Sequence, residues 1–125
     1  GAVTYANRIK TQVLGVPAEM LQKYGAVSEQ VARAMAEGIR RSSGSDLGIG
    51  ITGIAGPGGG TAEKPVGLVY LALSDGKQTI IRKLPGTGHV RSRAYLRGFA
   101  ASHALDMVRR YLLKLPVIED VQIRA

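Results

Sequence analysis

Apolar positions four apart at Ile9 and Val13 predict a first helix, with Asn7 placed to cap it, and the residues before it, Gly1 to Tyr5, read as a short buried strand. Pro17 near the first position and Gly25 just past the end bracket a two-turn helix. A third helix starts at an N-cap, Ser28, carries Glu29 in its first turn, buries a stripe of Val31, Met35 and Ile39, and stops at Ser43-Gly44. The pattern then changes period. Leu47–Ile51 and Val66–Leu73 are apolar runs of strand length, and an Asp75-Gly76 hairpin turn joins the second to an antiparallel partner from Gln78 to Leu84. Beyond Pro85-Gly-Thr-Gly88, a long helix from about Val90 to Leu115 is expected to pack through Val90, Ala94, Ala101, Leu105, Val108 and Leu112, leaving Arg93 and Arg97 on its other face. This order predicts an α/β fold, a mixed sheet covered by helices in one domain over 1–114, with 115–125 as a tail, edge strand or disordered.

Composition narrows the chemistry. With 125 residues the chain is long enough to bury a core without disulfides, and the absence of cysteine removes thiolate metal sites and a cysteine nucleophile. His89 and His103 stand fourteen apart with no carboxylate cluster beside them, so neither a metal nor another cofactor is expected. No apolar run is long enough to span a bilayer and no signal peptide is recognisable, so no membrane partner is expected and the default location is cytoplasmic. The net charge is +8, weighted toward residues 82–125, which favours anionic partners. Nucleic acid is disfavoured among these, because one Phe, no Trp and scattered tyrosines offer few stacking platforms.

A glycine-rich turn follows the first predicted strand, running from Gly53 through Ile54, Ala55, Gly56 and Pro57 to Gly58, Gly59, Gly60 and Thr61. It lacks the Gly-Lys-Ser/Thr of a Walker A loop, and no helical pattern starts where a dinucleotide-binding fingerprint needs one. Two readings remain: a nest of backbone N–H groups facing an anion, or a plain surface loop. Arg91, at the expected start of the long helix, suits anion binding, and His89 beside it is a weaker candidate. Arg93, Arg97, Arg109 and Arg110 read as a solvated stripe, and His103 as a surface or packing residue. Lys10, on a helix face with apolar neighbours and one turn after Tyr5, has the setting in which burial makes a lysine a base.

Ordered blocks carry a more specific signal: Gly1-Ala-Val-Thr-Tyr-Ala-Asn-Arg-Ile-Lys10, Leu14-Gly-Val, Tyr24-Gly-Ala-Val-Ser-Glu29, the glycine turn to Thr61, and Glu63-Lys-Pro-Val-Gly67. In these the chain resembles the C-terminal domain of the competence/damage-inducible CinA proteins and their stand-alone relatives, the nicotinamide mononucleotide deamidases, from Gly1 to about Leu113. The resemblance implies a three-layer α/β/α sandwich, homo-oligomeric as a dimer or larger, that hydrolyses the carboxamide of nicotinamide mononucleotide to nicotinate mononucleotide and ammonia. It implies catalysis by a serine assisted by a lysine and a tyrosine, and by motif these helpers are Lys10 and Tyr5. Ser28, the glycine turn with Thr61, and Arg91 are then assigned to substrate binding. The family's Ala-Glu-Ser-Cys-Thr-Gly-Gly motif, whose serine is the nucleophile, is not among residues 1–125, so that segment is expected upstream in the same polypeptide. A second departure is at Pro85-Gly-Thr-Gly-His-Val-Arg91, where the family has Gly-Asp-Arg, which makes Arg91 and His89 candidate substitutes. The alternative is a non-catalytic domain that binds a nucleotide or a protein partner.

Overall fold

A computed structural model describes residues 1–86 and 92–117. Three helices come first: α1 (Asn7–Leu14), α2 (Ala18–Tyr24) and α3 (Glu29–Ser43). Strands β1 (Gly48–Gly53), β2 (Val69–Ser74) and β3 (Thr79–Leu84) follow, and α4 (Arg93–Leu112) closes the order. The chain is therefore α/β, and from α1 to α4 the helices and strands follow the predicted order. Ser28 does cap α3, its Oγ accepting from the Val31 N–H at 3.3 Å, and Gly44 ends that helix. Asn7 does not cap α1, since the N-cap position falls on Ala6 with no side-chain cap.

The described sheet is antiparallel throughout, in the order β1-β2-β3, rather than mixed. Its central strand explains the uninterrupted apolar run of the sequence, because both faces of β2 are covered. Val69, Leu71 and Leu73 join Leu84 of β3 and Ala100, Ala104 and Met107 of α4 in one core cluster. Ala72, facing the other way, packs with Ala32 and Ala36 of α3. Leu14, Val16, Val31 and Met35 hold the first three helices together. Close approach of α3 to β1 depends on Gly48 and Gly50: a Cβ on either would lie 2.2 Å and 2.4 Å from the carbonyl oxygens of Ala36 and Ala32.

Two expectations fail here for physical reasons. Gly1 to Tyr5 form no strand and are exposed except at Thr4; among the described residues β1 pairs only with β2, and this segment lies across a cavity from β1 instead of pairing with its free edge. On α4 the packed face is Ala100, Ala104 and Met107, while Leu105 and Leu112 are exposed. That helix carries apolar residues on more than one side, so periodicity alone could not choose between them. Val90 and residues 118–125, part of the anticipated tail, lie outside the described residues.

Beneath α4, Arg82 of β3 is 1% exposed and donates to Asp106 Oδ2 at 2.9 Å and to the His103 carbonyl oxygen at 3.4 Å, with His103 Nδ1 at 3.1 Å. His103 is thus a packing residue, edge-on to Phe99. Asp106, held by Arg82, Arg109 and Arg110, has its carboxyl lowered to about 2. Asp75 is lowered to about 2 as well, chiefly by the Gln78 and Lys77 N–H groups and then by the Tyr111 hydroxyl. Folded values below the unfolded value mean stability complete above about pH 4 and lost as pH falls toward 2. Thermal melts should show that acid slope, and Asp106→Asn should flatten it while lowering Tm at pH 7 by several degrees, since the 2.9 Å ion pair of the buried Arg82 with Asp106 is removed.

Candidate active site

The site is built along β1 and its glycine-rich exit. Alternation puts Ile49, Ile51 and Gly53 on one face of this strand, and Thr52, on the other, is tied down by donating to the Ala26 carbonyl oxygen at 2.7 Å. A cavity of about 540 Å³ opens beside the strand, lined by the segment Gly1–Tyr5, by Lys10 and Leu14 of α1, and by Thr52 and Gly53. Lys10 is 6% exposed, and its ammonium donates to the Thr4 carbonyl oxygen. Burial pushes its pKa below lysine's ordinary 10.5, because a low-dielectric wall disfavours the charged form.

A second cavity, of about 320 Å³, shares Tyr5, Ile51 and Gly53 with the first and continues to Ala55, Arg93 and Arg97. Tyr5 therefore stands between the two, largely exposed, with the Arg93 guanidinium 5.8 Å from its ring centroid. Arg93 Nη1 also donates to the Gly56 carbonyl oxygen at 3.3 Å, tying α4 to the glycine turn. Arg93 is exposed, as expected of a solvated stripe, but it also contacts the site; the sequence signal for that was its position one residue into a helix, next to a Ser92 N-cap.

The glycine turn is folded on itself. Gly67 N–H donates to the Ile54 carbonyl oxygen at 2.8 Å and Ile54 N–H to that of Leu68 at 2.9 Å, closing the loop at its base. A Cβ on Gly56 or Gly60 would lie within 2.8 Å of Val66, so those glycines serve close packing. Gly58, by contrast, has open space where a Cβ would be, and with Gly59 it forms the outward part of the turn. Thr61 Oγ1 accepts from the Lys64 N–H at 3.0 Å, and Lys64 Nζ donates across to the Tyr24 carbonyl oxygen at 2.7 Å.

The structure thus brings Tyr5, Lys10, Gly53 and Ala55 to the two neighbouring cavities and places Ile54, Gly56, Gly58, Gly59, Gly60 and Thr61 in the adjoining turn. Ser28 stands apart from them. Its Oγ donates to the Gly25 carbonyl oxygen at 2.9 Å and accepts from Val31, so its hydroxyl is engaged in starting α3. Arg91 and His89 lie outside the described residues. Among those residues no group of His, Asp or Glu is arranged to hold a metal, and no helix is long and apolar enough to cross a membrane.

Comparison with known proteins defines the class. Residues 1–112 match the CinA C-terminal domain family, and the chain belongs to it. It is 58% identical over 117 residues to a CinA-like protein of Desulfovibrio desulfuricans, covering 94% of this chain and 28% of that protein. A CinA-like protein of Acidobacterium capsulatum is 53% identical over 113 residues, covering 90% and 27%. The chain therefore spans about a quarter of the length of these curated relatives. Among solved structures, the competence/damage inducible protein CihA from Agrobacterium tumefaciens superposes with a TM-score of 0.81 at 41% identity, covering 86% of this chain and 64% of that one. A CinA superfamily protein from Escherichia coli gives 0.78 at 30% identity, with 87% and 62% covered.

Proposed function

We propose that this domain carries the base and oxyanion side of an amidohydrolase site that converts nicotinamide mononucleotide and water to nicotinate mononucleotide and ammonia. The observation that carries the reading is Lys10: a buried amine with a lowered pKa, opening onto a cavity that it shares with the Tyr5 segment. The nucleophile is a serine hydroxyl supplied from outside residues 1–125, next to β1 and Lys10. Neutral Lys10 takes the serine proton as Oγ attacks the carboxamide carbon, and then gives it to the departing nitrogen, which leaves as ammonia. Water attacks the resulting ester with Lys10 again as base, which releases the carboxylate product and restores the serine. The Tyr5 hydroxyl donates to the oxyanion in both steps.

Arg93, with the outward backbone of the glycine turn, supports the phosphate side, since the guanidinium already bridges Tyr5 and Gly56. Arg93→Ala should raise KM about tenfold with a smaller effect on kcat and little change in Tm, as its side chain is exposed. The reaction is tested on the polypeptide that includes the preceding segment, by measuring ammonia and nicotinate mononucleotide together. One-to-one formation of both supports the proposal. Thermal stabilisation by the nucleotide without ammonia would replace it with the non-catalytic binding reading.

A further inference from the structure

At the other end of the sheet, where Gly48, Ser74 and Thr79 lie side by side in register, a polar cavity of about 410 Å³ separates α3 from the β2–β3 hairpin. It lies one strand length, roughly 17 Å, from the Gly53 end that carries the candidate active site. Its lining includes Arg33, Glu37, Arg40 and Arg41 of α3, Lys77 of the turn and Thr79 of β3.

The arginine heads here are differently engaged. Arg33 is already used: it pairs with Glu29 at 3.5 Å and donates to the Thr79 carbonyl oxygen at 3.4 Å. Arg40 is held in place without being neutralised. Its Nε donates to the Asp46 carbonyl oxygen at 3.2 Å, and its guanidinium lies against Gly76, where a Cβ would come within 2.4 Å of Cζ. Only a residue without a side chain lets the planar group rest there. Among the described residues, the Nη groups of Arg40, the guanidinium of Arg41 and the Lys77 ammonium have no acceptor. Arg40, Arg41 and Lys77 thus line this cavity with one carboxylate, that of Glu37, which accepts from Thr79 Oγ1 at 3.0 Å through one oxygen.

We propose that this cavity binds a phosphomonoester that also carries hydroxyl groups, such as a sugar phosphate. A dianionic phosphate matches the excess of positive charge, with Arg40 as its fixed bidentate donor and Arg41 and Lys77 closing over it. Glu37 accepts from a ligand hydroxyl through its second oxygen, which disfavours a bare polyanion. Nothing in this site draws on the residues assigned to amide hydrolysis, so the two can be separated experimentally.

The test is titration of the protein with ribose 5-phosphate and with inorganic phosphate, followed by calorimetry and backbone-amide NMR. Saturable one-to-one binding of ribose 5-phosphate is expected, tighter than that of inorganic phosphate, with shifts at Lys77–Thr79. The exposed double variant Arg41→Ala/Lys77→Ala should weaken it at least about tenfold with Tm unchanged, whereas Lys10→Met should leave it intact. Absence of binding, indifference to the double variant, or complete loss at about 150 mM salt, as for a screened surface charge, would each overturn the proposal.

Discussion

If the proposed hydrolysis holds, Lys10→Met should lower ammonia release from nicotinamide mononucleotide by about 1,000-fold, the loss expected when a general base is removed from a two-step acyl transfer. The fold is retained, because methionine has a similar length and suits a position that is 6% exposed. Stability should rise as well. Lysine's folded pKa lies below its unfolded value, so the native state is penalised relative to the unfolded chain until pH climbs through that window toward 10.5. At neutral pH the variant is therefore expected to melt no lower than the wild type while losing activity. Parallel loss of both would identify Lys10 as a structural residue instead.

Gly38→Ala is the change expected to damage the fold most. A Cβ there would lie 1.8 Å from the Leu14 carbonyl oxygen and 2.8 Å from its carbon, so backbone must move rather than a side-chain tip. Helix α1 ends at Leu14 and carries Lys10, which means the displacement reaches the candidate base directly. Overpacking of this kind costs about 3 kcal/mol or more, a fall in Tm on the order of 10 °C. Gly58→Ala is the matched control: its Cβ meets nothing within 4 Å, and the melt should move by about 0.5 kcal/mol or less. Equal effects at both positions would show that α1 and α3 do not approach as closely as described.

The sequence made the helices and hairpin legible because each signal was local. Ser28 and Gly44 mark both ends of α3, and Asp75 organises the β2–β3 turn through its carboxylate. What it did not reveal depends on tertiary placement. The packed face of α4 is chosen by what lies beneath it, where Ala100 and Ala104 let the helix sit close over Leu71 and Leu73. Arg93 gained its place only when the fold set Gly56 and Tyr5 within its reach. Ser28, assigned to substrate by resemblance, has a local engagement that its N-cap position already implied. The glycine turn divides in the same way: Gly56 and Gly60 are explained by Val66 behind them, and the open stretch at Gly58–Gly59 is the part left for a ligand.

At the centre of the proposed mechanism is an amine that gives up its proton more readily than a solvated lysine and that touches the nucleotide's reacting end. Side-chain NMR titration of Lys10 Nζ, with and without nicotinamide mononucleotide, measures this directly. The mechanism predicts a midpoint below 10.5 and a resonance that shifts when the nucleotide binds. A midpoint at or above 10.5, with no response to the nucleotide, would contradict it.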